Sequence, residues 1–354
     1  MKRFLAIALS LTMMLCLVAC GGTSSGGGAA SSGSAAPSSG SAAPSGGGTS
    51  DETFVLKFAN VNNEQYPYHP ASELFKERVE KATGGKVTVE LYPGGTLGSE
   101  TELVEQTMMG TLDMCVVASA PVANFIDSFK VFDLPFLFKD IDQQYAVFDS
   151  EIGQNMLAQM DGVMGVTGLG FWTNGVRSPS ANTPINSMAD LKGVKIRVME
   201  NDIHLAAYKA IGAAPTTMAW SEVFTAVQQG TVDGFESSPV IYSTGKYYEI
   251  QKHYGMINML YSPAILMINS DKLKSMPEEY QKAILDAAAE STIYERDIYA
   301  DVVEAALADV TANGMAVTTP DTAEFREAVQ PVYEQFADSV GGMEFIKSIQ
   351  NYEG

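Results

Sequence analysis

The alternation of apolar and polar positions sets out an α/β chain. FVLKFAN at 54–60 alternates as a strand. The next stretch, Tyr66-Pro67-Tyr68-His69-Pro70, reads as a turn. Residues 71–82 form an amphipathic helix with Leu74, Phe75 and Val79 on one face, closed by Gly84-Gly85. KVTVELY is a second strand, GGTLGSETELVEQTMMG a loop opening into a helix, and TLDMCVVAS a third strand. A helical pattern over 140–160 precedes another strand in GVMGVTGLGFW. Alternating strands and helices imply a mostly parallel open sheet. A helical period with few breakers runs from Pro277 to about Ala312.

Residues 184–239 organise the rest of the chain. Asn186 or Ser187, with Asp190, supplies cap chemistry before a short helical turn that Gly193 ends. VKIRV is a strand bearing Arg197 near its carboxyl end. A helix spans 201–211, and MAWSEVFTAVQQG is a second, with Ser221 as its N-cap. TVDGFESSP is a strand end running into a loop. Such a crossover unit binds ligands at the carboxyl ends of its strands, where Arg197, Trp220 and Ser237 converge.

ADLKGVKIRV, IGAAPTTMAWSEVFTAVQQGTVDG and Glu236 closely resemble the DctP family, the extracytoplasmic solute-binding subunits of TRAP transporters. KATGGKVTVELYPGGTLGSE, LPFLF at 134–138, YYEIQKHY at 247–254 and MINSDKLKSMP extend the resemblance along almost the whole mature chain. It implies a two-lobed fold of the periplasmic-binding-protein kind (class II type). Mixed and parallel sheets are then flanked by helices, and the long helix spans both lobes. The chain is expected to cross to the second lobe near 173–177 and return around 261–268. This gives lobe I as 54–173 with 262–302, and lobe II as 174–261 with 303–354.

The leader changes the setting. Lys2 and Arg3 precede a short apolar run, as in a secretory signal peptide over 1–19. Leu17-Val18-Ala19-Cys20 resembles a lipobox, which implies lipidation of Cys20 and a membrane anchor on the outer face of a bacterial cell. Residues 20–53 are a Gly/Ser/Ala-rich tether. Cys115 is then the one cysteine left, in an apolar run, and reads as a buried core thiol. The net charge of −20 argues against nucleic acid as a partner. An anionic ligand must therefore be held by specific arginines. No further segment is apolar enough to span a bilayer.

Each candidate residue carries two readings. Arg197 presents a fork suited to a carboxylate, or pairs structurally with Glu200 or Asp202. The resemblance implies the first, because the family grips its substrate carboxylate with the arginine of this motif. It also implies a second anionic contact from Arg177, which composition alone makes a surface residue. Asn174 reads as a capping residue. Trp220 is a core aromatic by default, and by resemblance a ring over the ligand's carbon skeleton. Ser237 and Ser238 stand where relatives carry an asparagine, and Met199 where a proline is common. Glu236 accepts either from a substrate hydroxyl or from loop amides. Asn62, His69, Glu100 and Ser119 are rim positions of the first sheet that serve equally as loop or cap residues. Trp172 lines the cleft or packs the lobe interface.

The expectation is a monomeric receptor for a small organic acid that hands it to a TRAP permease, with no cofactor and no metal. The serines and Glu236 favour a hydroxylated acid such as a uronate, with a C4-dicarboxylate as the alternative. Service to an ABC importer or a sensor is the other transport reading. An enzyme is disfavoured: the chain has no GxSxG, HExxH or paired CxxC, and its three histidines, His69, His204 and His253, are scattered.

Overall fold

The computed structural model describes residues 52–354. The leader, Cys20 and nearly all of the tether lie outside the described residues. The described residues form one compact unit.

The first half of the chain runs β1 (Phe54–Ala59), α1 (Tyr68–Ala82), β2 (Val87–Tyr92), α2 (Glu100–Met108), β3 (Met114–Ala118), α3 (Ser119–Val122), α4 (Ile141–Asp149), α5 (Glu151–Met164) and the long β4 (Val166–Ala181). Then come β5 (Lys195–Val198), α6 (Asp202–Ala210), β6 (Ala214–Thr217), α7 (Trp220–Gln228), β7 (Gly234–Ser237), α8 (Pro239–Thr244) and β8 (His253–Gly255). The chain closes with β9 (Leu260–Asn269), α9 (Ser270–Lys274), α10 (Glu278–Ala312), β10 (Ala316–Thr318), α11 (Ala323–Ala328), α12 (Gln330–Phe336) and α13 (Met343–Gln350).

The strand order is β2-β1-β3-β9-β4-β7-β5-β6. Pairing is mixed: β2, β1 and β3 run parallel, as do β7, β5 and β6, while β9 and β4 pair antiparallel. The two-residue period sorts side chains between two cores. Met114 and Val116 of β3, with Leu266 and Ile268 of β9, meet Phe75 and Val79 of α1 and Ile284 of α10. Cys115 and Val117, with Ile265 and Met267, meet Leu103 of α2 and Phe148 and Met160 from α4 and α5. Each large side chain buried this way contributes roughly 1.5–3 kcal/mol. Cys115 is fully buried, and burial pushes its thiol up to about 12, as a core thiol requires.

One strand serves both parts of the sheet. The first part of β4 pairs with β9, its register shifts between Thr173 and Gly175, and Ser178 and Pro179 then pair with Ser237 and Glu236 of β7. Gly175 sits at this irregularity with φ of +97°. A Cβ there would run into the Tyr299 hydroxyl and lie 2.6 Å from the Cβ of Ser238. The 35-residue α10 packs on α1 at one end and on α8 further along.

Several local expectations change. Helix α1 starts at Tyr68, because Pro67 takes the N-cap and Pro70 lies in the first turn, where a missing N–H costs no bond. The 140–160 pattern is two helices: Ser150 closes α4 and caps α5 by accepting from the Ile152 N–H at 3.1 Å. Ala219, not Ser221, is the N-cap of α7. The stretch after β7 is helix α8, with Pro239 at its start, rather than a loop.

Candidate ligand-binding site

Arg197 is the third residue of β5, between Ile196 and Val198, which face the core. Alternation turns its guanidinium to the opposite side. There Nε and Nη2 both donate to the Met218 carbonyl at 2.8 and 2.6 Å, and the Trp220 ring centroid lies 5.8 Å from the guanidinium carbon. Neither Glu200 nor Asp202 pairs with it. Its Nη1 is buried and has no hydrogen-bond partner among the described residues. Burial pulls this guanidinium below its ordinary range; Arg177 adds to that pull, while Glu236 and Glu100 oppose it.

Arg177, on β4 beyond the irregularity, is bound differently. Its Nε donates to Glu236 Oε2 and its Nη2 to the Glu236 carbonyl at 2.8 Å. Burial alone would lower the Arg177 pKa, but the Glu236 carboxylate raises it above its usual range. Glu236 is fully buried and accepts the Met199 N–H at 3.2 Å through Oε1. Burial works to raise its pKa; Arg177 and His204 prevail and hold it down to about 2. Glu236 thus orders an arginine and a loop amide, the second of its two readings extended by an ion pair.

Behind this pair lies a buried chain of charges. His204 Nδ1 is 3.6 Å from Glu236 Oε1, and its Nε2 is 3.3 Å from Asp133 Oδ1. Asp133 also accepts from the Ser119 hydroxyl at 3.0 Å and from Asn201 Nδ2 at 2.8 Å. Burial would lower the histidine pKa, but the two carboxylates raise it.

In front of the arginines is a narrow cleft. Arg177, Arg197, Trp220 and Ser237 line one side; Val61, Asn62 and Glu100 come from the loop after β1 and the start of α2. Asn174, Met199 and Ile241 complete it. The Ser237 hydroxyl is buried and has no partner among the described residues. Glu100 is the first residue of α2 and accepts the Ala118 N–H at 2.8 Å. Burial raises its pKa, against the pull of that N–H and of Arg177 and Arg197. A second space adjoins, sharing Asn62, Trp220 and Ile241 and reaching Tyr66 and Tyr247. Among the described residues no group of three or more His, Cys, Asp or Glu is placed to hold a metal ion.

Six of the expected residues therefore meet at the cavity: Arg197, Arg177, Trp220, Ser237, Asn62 and Glu100. Three do not. His69 lies 4.0 Å from Glu73 in an open groove between α1 and α10, on the outer surface. That groove is larger, but its walls are exposed and mostly charged. Ser119 is bound to Asp133 instead of the cavity. Trp172 is fully buried, donates to Thr292 Oγ1 at 3.1 Å and packs on Phe58 and Tyr68, so it is core rather than cleft. Asn174, read as a cap, instead donates to Ser262 Oγ at 3.2 Å and lines the cavity. Its position three residues before Arg177, where β4 is irregular, is the only hint the chain gives. Ile241 was missed because α8 was read as a loop.

A mixed α/β sheet flanked by helices, with a buried arginine at the carboxyl edge of a parallel strand, is the arrangement of a two-lobed solute-binding protein. Residues 58–339 match the family described as DctP, bacterial extracellular solute-binding protein, family 7, and the chain belongs to it. It is 39% identical over 284 residues to a solute-binding protein of Verminephrobacter eiseniae, covering 79% of this chain and 84% of that one. It is 34% identical over 295 residues to the C4-dicarboxylate-binding periplasmic protein DctP of Rhodobacter capsulatus, covering 82% and 88%. The TRAP periplasmic solute-binding protein of Xanthobacter autotrophicus Py2, solved with bound β-D-galacturonate, superposes with a TM-score of 0.78 at 34% identity, covering 83% of this chain and 97% of that one.

Proposed function

We propose that this protein captures a small organic acid between two lobes and delivers it to a TRAP-type membrane permease. The observation that carries this reading is Arg197: a guanidinium fork fixed by the Met218 carbonyl, with one buried nitrogen lacking a partner, on a residue that lines the cleft. A ligand carboxylate satisfies that nitrogen, the Ser237 hydroxyl donates to it or to a neighbouring oxygen, and Trp220 covers the carbon skeleton. The lobes divide at 173/174, 261/262 and 302/303, so the cavity draws on both of them. A ligand bound by both sides favours the closed form through its differential affinity for that form. The preferred ligand is a hydroxylated acid of the sugar-acid kind, as in the galacturonate-bound relative. The protein acts as a monomer, and a lipid on Cys20 holds it to the outer face of the membrane through the 20–53 tether.

The dicarboxylate reading has the Rhodobacter relative in its favour. Against it, Arg177 is already matched by Glu236, so one arginine rather than two is free for ligand charge. The test is titration of the wild-type chain and Arg197→Ala with D-galacturonate, D-galactonate and succinate. Removing one partner of a buried charge pair costs about 2–5 kcal/mol, so binding should weaken at least roughly thirtyfold with the melting temperature little changed. An alanine variant that keeps wild-type affinity refutes the anchor.

A further inference from the structure

The cavity's charges come from two guanidiniums and two carboxylates, and they are not equivalent. Arg177 and Glu236 neutralise each other through the side-chain ion pair. Arg197 makes its hydrogen bonds to the neutral Met218 carbonyl, lines the cleft and keeps a buried Nη1 without a partner. Glu100 stands on the other side, on the first turn of α2, with Oε1 fixed by the Ala118 N–H. The charged groups acting on it are Arg177, Arg197 and Glu200. Its own carboxyl group occupies the positive end of α2, the place where a second ligand anion would otherwise be welcomed.

Resting on the organic-acid reading above, we propose that Glu100 selects a hydroxylated monocarboxylate and excludes a dicarboxylate. A ligand whose carboxylate sits on Arg197 extends its far end toward Val61, Asn62 and Glu100, because those residues form the opposite wall. A hydroxyl there donates to the free oxygen of Glu100. A second carboxylate there meets like charge in a buried site, with Arg177 already occupied.

The test uses the purified full chain, wild type and Glu100→Gln, titrated with D-galacturonate, D-galactonate and succinate. Wild type should bind at least one hydroxylated acid tenfold or more tighter than succinate. Glu100→Gln should shrink that ratio at least tenfold, chiefly by gaining succinate. Equal wild-type affinity for succinate and the hydroxylated acids overturns the proposal, as does a ratio unchanged in a folded Glu100→Gln. If Glu100→Gln does not fold, Glu100→Ala takes its place, and an unchanged ratio in it overturns the proposal equally. Binding of none of the three acids by wild type sinks the organic-acid reading itself, and the role of Glu100 with it.

Discussion

Glu295 gives the most quantitative test of how the two parts of the sheet are joined. It lies on α10 beneath β4, fully buried, and its Oε2 accepts the Thr173 N–H at 2.8 Å where the register of β4 against β9 shifts. Oε1 has no partner among the described residues. Burial, only partly countered by that N–H and by Arg296, raises the pKa from 4.5 to about 8. The folded chain therefore keeps a proton on Glu295 that the unfolded chain has already released. Between those two values the unfolded state binds fewer protons, so stability falls as pH rises. The contribution is whole below about pH 4.5 and lost by the time pH passes about 8. At roughly 1.4 kcal/mol per unit, a shift of this size is worth at most about 5 kcal/mol. Glu295→Gln keeps an acceptor for Thr173 and cannot ionise. Urea denaturation from pH 5 to 9 should show wild type losing several kcal/mol relative to the variant, with the variant the more stable at pH 9. Parallel pH profiles for the two proteins would refute the reasoning, because they would mean that Glu295 ionises as freely in the fold as outside it.

Two further expectations follow from the same packing. Gly175→Ala combines a positive φ with a Cβ driven into Tyr299 and Ser238, so it should lose about 2–4 kcal/mol in urea denaturation; a loss under about 0.5 kcal/mol would mean that β4 relaxes freely there. Cys115, buried and with its pKa pushed up to about 12, should resist a thiol reagent at pH 8 in the native state and react in denaturant, in a chain whose other cysteines are replaced. Rapid native labelling would show that the sheet opens at β3.

The alternation in TLDMCVVAS and in the β9 stretch was enough to place strands, and the long period after Pro277 was enough to place α10. In each case the pattern of burial is local, and one face must meet a core. KIRV was equally legible: a charge between two buried aliphatics on a short strand has to leave the core on the other face, and only a strand's period makes that possible. The sequence pattern also brought Trp220 and Ser237 to the same edge, because a crossover unit puts its strand ends together.

Partnership was not legible. Whether Arg177 or Arg197 is the free guanidinium depends on which of them lies opposite Glu236. That is decided by the pairing of Ser178 with Ser237 across strands 59 positions apart in the chain. Other long-range contacts tie His204 to Asp133, take Ser119 from the rim and bury Trp172 against Thr292 of α10. A residue's type and local period fix which face it takes. Only the folded sheet decides what stands across from it, and a buried charge owes its role to that neighbour.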